Sequence, residues 1–185
     1  MRQIKYSLTI LSAVAVLAGC SGGGSTAGDQ TLKAKYSAQI SFGDSMIDVG
    51  TYAVGTIAAL GGGQFTVNSP DAKNWTALMA AQFGLPAPCA AQTSLDGDPA
   101  QGFSVMPPVN HAGCTGYAQG GARVTNPIGI GNKLTGGANA SLGFLTVPVI
   151  QQIQNHLNLN GGKFNDDEIV FVMAGGNDVL AIAIG

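Results

Sequence analysis

Ser45 is the residue of this chain around which chemistry is most readily built. It stands in Gly43-Asp44-Ser45-Met46-Ile47-Asp48-Val49-Gly50, directly after the apolar run Ala38 to Phe42. An apolar run that opens into Gly-Asp-Ser reads as a strand ending in a tight turn, which presents the serine hydroxyl at the sheet edge as a nucleophile. Gly43 keeps backbone out of a substrate's way. Asp44 and Asp48 read as turn residues, each able to accept backbone N–H groups. A serine of this kind needs a base, and the only histidines are His111 and His156. Triad bases are oriented by a carboxylate partner. For His111, which lies in a loop before Cys114, no carboxylate partner is suggested by spacing.

The octapeptide resembles block I of the GDSL, or SGNH, serine hydrolases, whose fuller form GDSxxDxG is matched at every defined position. Gly116-Tyr117-Ala118-Gln119-Gly120-Gly121-Ala122-Arg123 resembles block II, and Gly175-Gly176-Asn177-Asp178, after the apolar run Ile169 to Ala174, resembles the GxND of block III. The resemblance implies Ser45 as nucleophile and three oxyanion donors: the N–H of Ser45, the N–H of Gly121 and the side-chain amide of Asn177. Removing one such donor costs about 3 to 4 kcal/mol of barrier. The family usually places Asn where this chain has Gly116, which leaves Gly120 as the alternative block II residue. Asp178 reads as structural or as a helix N-cap. The family completes its triad with a DxxH near the C-terminus, and this sequence has none. The resemblance therefore implies the N-terminal part of a hydrolase, inactive alone, with the catalytic base missing.

Residues 1–19 have the form of a lipoprotein signal peptide. Arg2 and Lys5 give a positive start, Leu8 to Leu17 an apolar core, and Leu17-Ala18-Gly19-Cys20 a lipobox. The apolar core is shorter than the ~20 residues that span a bilayer. Cys20 is thus the expected lipidated N-terminus and the membrane the expected anchoring partner. Ser21 in place of Asp favours, by resemblance, the bacterial outer membrane. Residues 20–37, rich in Gly, Ser, Thr and Ala, form a tether, and 38–185 form one domain. A net charge of −2 with no Lys/Arg cluster gives no case for nucleic acid. Cys89 and Cys114, in an oxidising compartment, suggest a disulfide closing a loop of about 26 residues, worth roughly 3 to 4 kcal/mol. A zinc site lacks any CxxC or His pair.

Nothing in the sequence calls for a cofactor. Gly61-Gly62-Gly63 is glycine-rich, but no GxxxxGK[ST] or strand-borne GxGxxG is present. Ser69-Pro70-Asp71 reads as a helix start, with Trp75, Leu78 and Met79 as its core stripe and Gly84 as its stop. Proline-rich 85–110 reads as a surface loop. Val147 to Leu159 reads as a second helix burying Val149, Ile150, Ile153 and Leu157, with His156 beside this stripe as a surface or helix-end residue. Ile169 to Met173 reads as a strand buried on both faces. Strands alternating with helices imply an α/β fold: a doubly wound parallel sheet with helices on both faces. The resemblance narrows this to an SGNH-like, flavodoxin-like topology with its C-terminal part missing. The leading function is hydrolysis of carboxylic esters through an acyl-enzyme on a small-molecule or lipid substrate. The alternative is a non-catalytic surface lipoprotein that binds an acyl or glycan ligand.

Overall fold

The computed structural model describes residues 34–65 and 73–184. The signal peptide, Cys20, most of the tether and Ser69-Pro70-Asp71 lie outside the described residues. Strand β1 (Ala38–Gly43) pairs in parallel with β4 (Glu168–Met173), with Ile40 opposite Val170, Phe42 opposite Val172 and Gly43 opposite Met173. On the other side of β1 the segment 115–119 also runs parallel. Ser41 N donates to Thr115 O at 3.0 Å, Tyr117 N to Ser41 O at 2.8 Å, and Gln119 N to Gly43 O at 3.0 Å. Gly116 bridges onward to Ala90. The result is a small parallel layer with β1 inside it.

Successive residues of a strand point to opposite sides, and one helix packs against each side of part of this layer. Ile40 and Phe42 pack against Val149 and Ile153 of α3 (Val149–Leu159). Phe171, in register with Ser41, takes the edge of Trp75 from α2 (Trp75–Gln82), their ring centroids 5.0 Å apart. α1 (Gly55–Ala59) is a short turn of helix after block I, and α4 (Gly176–Ile184) follows β4. The molecule is mixed α/β, and no described helix is long and apolar enough to cross a membrane.

Several expectations are corrected by the packing. The domain begins before Ala38: Tyr36 packs edge-on against Phe83, and Ser37 N donates to Asp167 O at 2.8 Å, so the last tether residues belong to the fold. α2 is capped by Asn74, whose side chain accepts from Ala77 N. It buries Thr76, Ala77 and Ala80, while Trp75 and Leu78 remain exposed in part. The 85–110 stretch is not a loop throughout. It forms an antiparallel hairpin of β2 (Gln92–Asp96) and β3 (Val105–Asn110), a second sheet beside the parallel one. Pro107 and Pro108 are compatible with it because β3 is exposed along its whole length and the register shifts between Thr93 and Leu95.

β4 is not buried on both faces. Val170, Val172 and Met173 are exposed, as are Val179, Leu180 and Ile182 of α4. Val149 and Ile153 of the expected α3 stripe pack on β1, but Ile150 is exposed, and Gln152 and His156 are buried instead. Cys89 and Cys114 are joined by a disulfide that ties the hairpin's approach to the start of segment 115–119.

Candidate active site

Block I leaves β1 through Gly43, where a side chain has no room: a Cβ there would stand 2.1 Å from Met173 O. Asp44 N bonds back to Met173 O at 3.2 Å, and Asp44 Oδ1 accepts from Met46 N at 3.0 Å, which folds the turn and leaves Ser45 at its partly exposed tip. The Ser45 hydroxyl has no hydrogen-bond partner among the described residues. Burial pushes the Asp44 carboxyl up from its ordinary value, against the pull of the Met46 N–H.

Asp48 joins block I to block II. Fully buried, its Oδ1 accepts from Gly50 N at 2.9 Å and Thr51 N at 2.8 Å, and its Oδ2 accepts from Gly120 N at 2.8 Å. Burial raises the Asp48 carboxyl, and these N–H groups oppose the rise. Asp48 thus holds the N–H of Gly120, whereas the N–H groups of Gly121 and Ser45 bond to nothing among the described residues. Gly121, at φ +80°, needs to be glycine: a Cβ would lie 2.0 Å from Ile130 O.

Block III closes the arrangement from β4. Asn177 is buried and donates from Nδ2 to Ala122 O at 2.8 Å. Asp178 accepts from Val124 N at 2.9 Å and pairs with Arg123 at 3.3 Å, so it anchors block II to the first turn of α4 and does not cap the helix. Blocks I, II and III thus meet at the carboxyl ends of β1, segment 115–119 and β4, the place where open α/β sheets hold ligands. No model of a known protein family matches the chain, and no curated protein matches it.

Supporting residues without a sequence motif complete the site. Gln152 of α3 accepts from Gly43 N at 2.8 Å and donates to Gly43 O at 2.9 Å. Tyr52 donates to Gly120 O at 3.0 Å and accepts from Thr146 N at 3.3 Å. Thr146 has φ +50°, a strained conformation for a β-branched residue. Its hydroxyl holds it there, donating to Pro127 O and accepting from Gly129 N and Asn132 Nδ2. The only hint of Gln152 in the sequence is a polar residue one helical turn from Val149 and from His156.

Neither histidine bonds to Ser45. His111 pairs with Thr93 Oγ1 at 2.8 Å. His156 is not a surface residue: it is 1% exposed, stacked on Phe164 and edge-on to Phe42 and Tyr117. No group of three or more His, Cys, Asp or Glu that could hold a metal occurs among the described residues.

Proposed function

We propose that this chain carries the nucleophile and oxyanion donors of an SGNH-type ester hydrolase with a doubly wound sheet, anchored by lipid at Cys20 to the bacterial outer membrane. The observation that carries the reading is the selective use of backbone donors. Asp48 commits the N–H of Gly120, while those of Ser45 and Gly121 are unbonded among the described residues, with the buried amide of Asn177 bonded to the neighbouring Ala122. Fixed donors of this kind stabilise the charge that develops on a carbonyl oxygen under attack. Ser45 Oγ would attack an ester carbonyl, expel the alcohol and form an acyl-enzyme that water then hydrolyses. The step needs no cofactor. It does need a base, and His111 and His156 are engaged elsewhere.

The test compares the 185-residue chain with one extended by a segment carrying DxxH, using a fluorophosphonate probe and a p-nitrophenyl short-chain ester. The chain alone should label and turn over negligibly, since losing the base of a comparable triad costs on the order of a million-fold. The extended chain should do both, and Ser45→Ala should abolish both. Restored turnover that survives Ser45→Ala would defeat the proposal.

A further inference from the structure

Between α3 and the disulfide-closed segment His111 to Thr115 lies a groove of about 740 Å³, within the ~300 to 1,000 Å³ of small-molecule sites. No Lys, Arg, Asp or Glu lines it among the described residues. Its walls carry amides instead: Gln92 and Asn110 from the hairpin, Asn155 and Asn158 from α3, with Tyr117 as an aromatic surface. The asparagine amides are oriented by the protein. Asn110 Oδ1 accepts from Gln92 Nε2 at 2.9 Å, Asn155 Oδ1 from Gln151 Nε2 at 2.9 Å, and Asn158 Oδ1 from Gln154 Nε2 at 2.7 Å. With the oxygens engaged, the Nδ2 groups remain as donors. The Tyr117 ring is held by stacking on Phe42, and its hydroxyl has no partner among the described residues.

We propose that this groove binds a neutral carbohydrate chain. Sugar hydroxyls and ring oxygens accept from amide N–H groups, and the tyrosine hydroxyl can both donate and accept. An aromatic ring offers the apolar face on which the C–H side of a pyranose packs. Without a fixed charge in its walls the groove has no ionic partner for a charged ligand. An acyl chain would strip water from the amides and return no hydrogen bond. The groove lies on the α3 face, along segment 115–119 and away from β4. Binding there requires neither Ser45 nor a base, so the inference stands apart from ester hydrolysis.

The 185-residue chain, carrying Cys20→Ser and labelled with ¹⁵N, is titrated with cellohexaose, xylohexaose and chitohexaose while the side-chain amide resonances are followed. At least one sugar should shift Asn155 and Asn158 saturably. The Asn155→Ala/Asn158→Ala pair, and Gln92→Ala on the opposite wall, should each weaken binding about tenfold or more. Ser45→Ala should leave it unchanged. No saturable shift with any sugar at about 10 mM, binding indifferent to both sets of groove substitutions, or tighter binding of an uncharged Ala-Ser-Gly peptide at the same resonances would each overturn the proposal.

Discussion

The side-chain amide of Gln152 hydrogen-bonds both backbone polar groups of Gly43, in at 2.8 Å and out at 2.9 Å, across 109 positions of sequence. A helix is thereby fastened to the last residue of β1, two positions before Ser45. Gln152→Leu leaves Gly43 N–H buried without an acceptor, whereas Gly43 O keeps the N–H of Gln119. The expected loss is about 1 to 3 kcal/mol, read as a shift in urea midpoint with little change in slope.

Asp48 should be the most sensitive polar residue of the site. Asp48→Ala strands the N–H groups of Gly50, Thr51 and Gly120 together, for roughly 3 to 5 kcal/mol. Asp48→Asn keeps an oxygen for Gly50 and Thr51 but can turn an NH₂ toward the Gly120 N–H, donor against donor. It should fall between wild type and Asp48→Ala in thermal unfolding. A wild-type melt for Asp48→Asn would show that the contact with Gly120 contributes little.

His156 predicts a definite pH dependence. Burial lowers its pKa below the ordinary histidine value, and Glu168 opposes this weakly. The neutral ring accepts from Asn160 Nδ2 at 3.3 Å, and Nε2 has no partner. The unfolded chain therefore takes up a proton more readily than the folded one. This contribution to stability is complete above about pH 6.5 and is lost as the pH falls through the depressed folded value. His156→Phe preserves the aromatic packing and should flatten the slope of unfolding free energy in that window. An unchanged slope would assign the effect to carboxylates.

In a chain extended with DxxH, Asn177→Ala should lower kcat by about a hundred- to a thousandfold with little change in KM, as expected for a donor used mainly in the transition state. Part of the change is structural, because Nδ2 also bonds Ala122 O. Asn177→Asp keeps the volume but removes the donor from the substrate and from Ala122 O alike, so its melting temperature reports the structural part of the loss. Equal loss in both variants, with unchanged melting of Asn177→Asp, supports the oxyanion role. Full activity of Asn177→Asp removes it.

Val172 and Ile182 are 58% and 81% exposed on β4 and α4. Exposed apolar side chains such as these bind other apolar surfaces, and the edge of β4 away from β1, unpaired among the described residues, can recruit strands. The chain carrying Cys20→Ser should bind a hydrophobic dye and elute as mixed oligomers. Val172→Thr with Ile182→Lys should reduce both behaviours. A clean monomer without dye binding would show that this surface is covered in solution.

The local signals were legible in the residues. A run of Ala38 to Phe42 into Gly-Asp-Ser makes a strand and a turn through contacts within a few residues. Pro148 before Val149 and Gly161 after Leu159 delimit α3 by the same local steric rules. The neighbourhood of the three blocks followed from the class of fold, and the structure joins them through Asp48, Asn177 and Asp178. What the sequence could not supply was which polar groups are buried. Periodicity places Val149, Ile150 and Ile153 in the core and His156 at the surface or the helix end, yet Ile150 is exposed and His156 is buried. The face that α3 presents lets Gln152 reach the backbone of Gly43 and lets His156 fill the space beside Phe42 and Phe164. The resemblance places Gly121 before Gly120 as a donor, but only the fold shows that Asp48 holds the N–H of Gly120 and not that of Gly121. Apolar spacing is set by the geometry of one helix or strand, but the partner of a buried amide or carboxylate comes from elsewhere in the chain, and only the assembled fold brings it within hydrogen-bond reach.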